Sequence, residues 1–179
     1  MTKRIIPIIV VLFTLITTST FAQKIAIKTN ALEWAIASPN IGGEFFLNKR
    51  ISLGVNVSAS PVKIGSFKNF HFSIEPEARY WFKRPQAGPF VGLASRMAEY
   101  SVSLNDTNYK GNFITFGATC GYSWLIGERW NIEAVIGLGY LNCKQKKWSD
   151  DEPMPEVNND NIKTLAPIKL GLSFSYIIR

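Results

Sequence analysis

Apolar and polar residues alternate along this chain with a period of two, and the run that organises the rest is 70–82, FHFSIEPEARYWF. Phe70, Phe72, Ile74, Ala78, Tyr80 and Phe82 share one parity, while His71, Ser73, Glu75, Glu77 and Arg79 share the other, so the pattern predicts a strand with two unlike faces. The run is long for an ordinary globular strand. An uncharged aromatic face back to back with a charged one suits a wall between lipid and a polar interior.

The same reading divides the chain into eight strands, at about 24–37, 41–47, 51–58, 70–82, 89–103, 113–126, 130–143 and 165–178. Ser38, Pro39 and Asn40 turn the first into the second, and Asn48, Lys49 and Arg50 turn the second into the third. In the third, Ile51, Leu53, Val55 and Val57 alternate with Ser52, Gly54, Asn56 and Ser58. The phase of the fifth is ambiguous over 94–98, where a bulge is expected. Connections at 48–50, 83–88 and 127–129 are short, and those near 59–69, 104–112 and 144–164 are longer. That asymmetry, with 38–40 as its exception, is the one expected of an outer-membrane barrel with short periplasmic turns and longer outside loops. Trp81, Phe82, Trp124, Trp130 and Tyr176 gather toward the short turns, and Trp34, Phe70, Tyr100, Phe113 and Tyr140 toward the other end, which implies two aromatic girdles. The predicted fold is all-β: an eight-stranded, antiparallel, up-and-down transmembrane β-barrel.

Composition adds a destination. Lys3 and Arg4 precede an apolar stretch over 5–16, and Thr20, Phe21 and Ala22 form a small-x-small site before Gln23, so residues 1–22 read as a signal peptide and 23–179 as the barrel. No cysteine stands just after that site, where a lipid anchor would be attached. No later stretch offers 18 consecutive apolar residues, so a membrane-embedded form must be a barrel. The chain has 20 basic and 13 acidic residues, and a net positive balance persists without the leader. Without an arginine-rich helix or a stacking platform, this charge fits a membrane surface rather than nucleic acid.

Parity also sorts the interior. Lys28, Glu44, Glu75, Glu77, Arg79, Arg96, Glu133 and Lys169 fall on the polar side of their strands, four of each sign. Buried charges persist only when paired, so this balance is what a lumen plugged by ion pairs needs. Gly54, Gly117, Gly121, Gly137, Gly139 and Gly171 share that side and leave room there for large charged neighbours. A soluble lipocalin-like barrel, with the apolar parity inward, is the alternative. It leaves the glycines on a water-exposed face, where they weaken the sheet for no return.

The segments IKTNALEW (27–34), PNIGGEFFLNKRISL (39–53), IEPEARYWF (74–82), GPFVGLASRMAEY (88–100) and GYSWLIGERWNIEAVIGLGY (121–140), with the final strand, resemble an uncharacterised family of small bacterial outer-membrane barrels. That family is catalogued as a domain of unknown function and is similar in architecture to the outer membrane protein A and X barrels. The resemblance implies a fold and a cell outer membrane location, and carries over no catalytic residues. In the last strand, Lys169, Gly171, Phe174 and Tyr176 resemble the C-terminal insertion signal read by the barrel-assembly machinery, although Ile177, Ile178 and Arg179 follow the aromatic residue. A terminal strand with a free edge suits that encounter before closure removes the edge.

Candidate chemistry is sparse. His71, Ser73 and Glu75 lie on one strand face and resemble the residue set of an outer-membrane lipid A deacylase, but on the lumen side rather than the lipid side where an acyl chain arrives. Cys120 and Cys143 stand roughly 20 Å apart by strand counting, too far for a disulfide. Asp150, Asp151, Glu152, Asn158 and Asp160 match no calcium-loop spacing, so neither a metal nor a cofactor is expected. The sequence therefore predicts an outer-membrane barrel with a filled lumen and a structural or surface-interaction role through its outside loops. Its expected partners are membrane lipid, the assembly machinery and an unidentified external ligand. A lipid A-modifying enzyme is the alternative function.

Overall fold

The computed structural model describes residues 25–64, 67–104, 107–149 and 153–178. The expected signal peptide, 1–22, and the acidic residues Asp150, Asp151 and Glu152 lie outside them. Eight antiparallel strands close in chain order: β1 (Ile25–Asn30), β2 (Asn40–Phe46), β3 (Ile51–Ile64), β4 (Phe67–Trp81), β5 (Gly88–Leu104), β6 (Thr107–Ile126), β7 (Trp130–Ser149) and β8 (Asp160–Ile178). One short helix, α1 (Ala31–Ala35), separates β1 from β2. β8 pairs with β1 from Ile178↔Ile25 to Ser173↔Asn30, which closes an up-and-down barrel.

Alternation converts directly into inside and outside. In β4, Ser73, Glu75, Glu77 and Arg79 are buried, whereas Phe72, Ile74 and Tyr80 are exposed. Every strand presents apolar side chains outward: Ile27, Ile41, Leu53, Ile74, Leu93, Phe116, Leu138 and Leu170 are exposed in turn from β1 to β8. The apolar parity thus faces out, opposite to a lipocalin-like barrel. An apolar belt around the whole circumference is far more than the scattered patches of soluble monomers.

The first strand is shorter than the alternation suggested. It ends at Asn30, whose side-chain oxygen accepts from Leu32 N at 3.1 Å and caps α1. After the helix, Ala37 takes a positive φ of 55°, Ala37 N donates to Trp34 O and Ser38 N donates to Glu33 O, both at 2.9 Å. This Schellman closure stops the helix after five residues. Asn30 also binds β8 through Leu170 O and Leu172 N, and Asn40 Nδ2 donates to Asn30 O at 2.9 Å. The helix is thereby pinned over one mouth of the barrel.

At that mouth the strands run further than expected. Residues 59–64 continue β3, 107–112 belong to β6, 144–149 to β7 and 160–164 to β8, so most of the predicted long loops are hairpin extensions. Charged and polar residues interrupt the apolar alternation there, so no regular hydrophobic period marks these segments, and the strand ladders run on through them. β6 and β7 each have 20 residues, roughly 45 Å along the barrel axis at the usual tilt, against an apolar band of about 25 Å.

The bulge is also displaced. β5 keeps one register with β6 from Gly88↔Ser123 to Leu104↔Thr107, with no extra residue over 94–98. The register shifts between β7 and β8 instead: Gly137 pairs with Lys169 and Leu138 with Pro167, which leaves Ile168 over. Pro167 has no N–H for the ladder, and the extra residue turns Ile168 inward beside Lys169. Aromatic identity misled in three places. Trp81 is fully buried against Phe90, with ring centroids 4.8 Å apart, and Tyr100 and Phe113 lie on the inward parity. Phe82, Trp124 and Trp130 at one end and Phe70 and Tyr140 at the other are exposed.

Candidate functional site: an ion-pair ladder in the barrel interior

Inward positions on seven different elements converge on one chain of charges. Arg79, fully buried on β4, is its hub: Nη1 lies 2.6 Å from Glu133 Oε2 and 3.4 Å from Glu44 Oε2, and Nη2 lies 2.7 Å from Glu77 Oε2. Lys28 on β1 sits 2.8 Å from the same Glu44 carboxylate and 3.7 Å from Glu133. Above the hub, Lys169 Nζ bridges Glu77, at 2.8 Å, and Glu75. Glu75 next meets Arg96 Nη2 at 2.7 Å, and Arg96 reaches Glu33 on α1 at 2.6 Å. The eight residues singled out from the sequence therefore stand in one network. Arg96 is inward because β5 holds its phase.

Glu33 was hidden within a predicted strand. Its signal was Asn30 followed three positions later by Glu33, the Asn-x-x-Glu pattern of a helix start. Its inclusion changes the balance, since among the described residues five carboxylates now share four cations. Glu33 Oε2 is shielded and has no hydrogen-bond partner. The ladder thus holds one carboxylate more than the sequence reading places in it, at the helix-covered mouth.

Uncharged side chains finish the interior. Trp81, Phe90 and Val135 form an apolar floor, the Arg79 guanidinium lies 4.4 Å from the centre of the Phe90 ring, and Trp81 Nε1 donates to Ser52 Oγ at 2.8 Å. Glycine makes this possible at Gly121, where a Cβ would come within 2.5 Å of Phe90 Cζ. Below the floor, the turn residue Gln86 holds a positive φ of 63°, which aims its side chain into the barrel. There Nε2 donates to Glu44 at 3.0 Å and Oε1 accepts from Ser175 at 3.1 Å. Nothing in the sequence marked Gln86, because its inward aim comes from a turn and not from strand parity. The space left among Lys28, Asn30, Glu75, Glu77 and Arg79 is about 30 Å³, room for about one water.

His71 Nε2 is 2.8 Å from Ser38 Oγ, Ser73 Oγ is 2.7 Å from Ser58 Oγ, and Glu75 is taken by Arg96 and Lys169. The histidine, serine and glutamate share a face but are not joined to one another. In β8, Lys169 points inward and Gly171 is buried, with Val135 Cγ1 2.8 Å from where a Cβ would stand. Phe174 faces outward, and Tyr176 meets Trp130 edge-on with ring centroids 5.0 Å apart and accepts from Arg129 Nη1 at 3.0 Å. Cys120 and Cys143 are both free, the first exposed and the second buried. Among the described residues no group of three acidic, histidine or cysteine side chains could hold a metal.

A family model described as "Protein of unknown function (DUF3575)" matches residues 7–178. None of the curated proteins matches the chain. Among solved structures, the N-terminal β-barrel domain of Pseudomonas aeruginosa OprF is similar with a TM-score of 0.48 and 12% identity, covering 87% of this chain and 97% of that one. Neisserial surface protein A gives a TM-score of 0.45 and 17% identity, over 86% of this chain and 94% of that one.

Proposed function

The chain belongs to the DUF3575 family of proteins of unknown function, and we propose that it is a sealed outer-membrane barrel that presents long polar hairpins outside the cell. The observation that carries this reading is the pairing of a continuous apolar belt with an interior closed by ion pairs. In water the belt would drive aggregation; in lipid it is the required surface, and a closed barrel leaves no backbone group unpaired there. With about 30 Å³ free at the ladder, the barrel serves as a rigid stake rather than a diffusion channel. Its function then resides in what the protruding ends of β3 to β8 and α1 meet.

In this reading the leader directs export, and the strand ending at Ile178 engages the barrel-assembly machinery through Lys169, Gly171, Phe174 and Tyr176 before it pairs with β1. The test is fractionation combined with gel mobility. Processed protein should sediment with outer membrane and migrate faster unheated than heated, because a closed barrel resists detergent until it is heated. Recovery as a soluble periplasmic monomer contradicts the proposal.

A further inference from the structure

On the outer wall, across β4 to β7 near the helix-covered mouth, a groove of about 470 Å³ falls within the range of roughly 300–1,000 Å³ typical of small-molecule sites. Strand register puts Ile74, Met97, Ile114 and Asn142 of its lining on one rung, and Phe72, Glu99, Asn112 and Lys144 on the rung two residues nearer the mouth. Strand register extends the polar end upward, where Lys110 lies directly opposite Lys146, while Lys163 flanks the lower rung opposite Asn142. Like charges facing each other across a ladder are destabilising. Among the described residues neither Lys110, Lys144 nor Lys163 enters an ion pair, and Lys146 Nζ donates only to the backbone oxygen of Glu156. Glu99 is the single carboxylate in the lining. Asn142 Oδ1, beside Lys144, is shielded from solvent and has no hydrogen-bond partner.

We propose that this groove seats a phosphate-bearing lipid of the adjoining leaflet, its acyl chain along Phe72, Ile74, Met97 and Ile114 and its phosphate against Lys144 and the Lys110 and Lys146 pair. The inference rests on the membrane reading above. An anion placed there relieves the opposed lysines, and the apolar half has no other partner within the barrel. A free phosphate ion satisfies only one half of the groove, and an uncharged lipid only the other.

The test uses the full barrel in phosphatidylcholine nanodiscs doped with phosphatidic acid, with retained lipid counted by native mass spectrometry. Diacylglycerol and inorganic phosphate serve as separate arms. Phosphatidic acid should be retained in preference to both. At about 1 kcal/mol per basic residue near a membrane surface, retention should fall roughly fivefold in Lys144→Ala and roughly twenty-fivefold in Lys110→Ala/Lys144→Ala. Met97→Trp should also reduce it by filling the groove, while Lys83→Ala at the opposite end should not. Heat-modifiable mobility, read on every variant, separates the two levels. Barrels that enter the discs but retain phosphatidic acid equally with and without Lys144, or that bind inorganic phosphate as well, overturn the lipid site alone. Failure of the unsubstituted chain to enter the discs overturns the membrane reading and this inference together.

Discussion

Arg79 on β4 and Glu133 on β7 meet across the barrel at 2.6 Å, 54 residues apart in sequence and both buried. Breaking one side of such a buried pair costs about 3–5 kcal/mol, because the partner keeps an uncompensated charge in a buried space. Arg79→Ala should therefore lower stability by that amount in reversible urea unfolding from lipid vesicles. Glu133→Gln in the same background should recover part of the loss, since Arg79 also holds Glu77 and Glu44. A double-mutant cycle with no coupling rules out this pair as a structural link.

The floor makes an independent prediction. Gly121 sits where a side chain would strike Phe90 and the Ala134 backbone oxygen, both at 2.5 Å, whereas a Cβ at Gly43 would meet only Phe45 at 3.9 Å. Gly121→Val should destabilise by about 1–3 kcal/mol through overpacking. Gly43→Ala should leave the urea midpoint within error of the parent.

How far these contacts could be read from the sequence depends on which signal carried them. Period-two alternation placed Glu75, Glu77 and Arg79 on one face, and the same rule puts Trp81 there too, where its aromatic character suggested a girdle. Parity is the better guide because it follows from backbone geometry, while tryptophan suits lipid interfaces and packed floors alike. Glu33 and Gln86 escaped the rule for a different reason: a helix and a turn present them, and neither has a period of two. The extra residue at Ile168 was obscured because Leu165, Ala166, Pro167 and Ile168 are all apolar or small, so a one-residue slip leaves no polar mark.

The filled lumen predicts electrical silence. Protein reconstituted into planar bilayers should show no steady, large conductance, since Gln86 and Trp81 close one end and α1 covers the other. Sustained steps of porin size would mean that the ladder opens.

His71 and Ser73 have separate partners in Ser38 and Ser58. His71→Ala and Ser73→Ala should therefore leave the acyl pattern of lipid A unchanged when cells expressing each variant are compared by mass spectrometry. Loss of an acyl-chain cleavage in either variant would favour the enzyme reading.

The direct test of the membrane account is a lysine placed on the outer wall. Ile136 is exposed on β7, between Trp130 and Tyr140, near the proposed bilayer midplane. Phe70 lies toward the rim. Urea unfolding from vesicles should show Ile136→Lys losing about 2–4 kcal/mol and Phe70→Lys about 0–1 kcal/mol. If Ile136→Lys is neutral and the chain folds equally well in water without lipid, the outer wall faces solvent and the outer-membrane account is wrong.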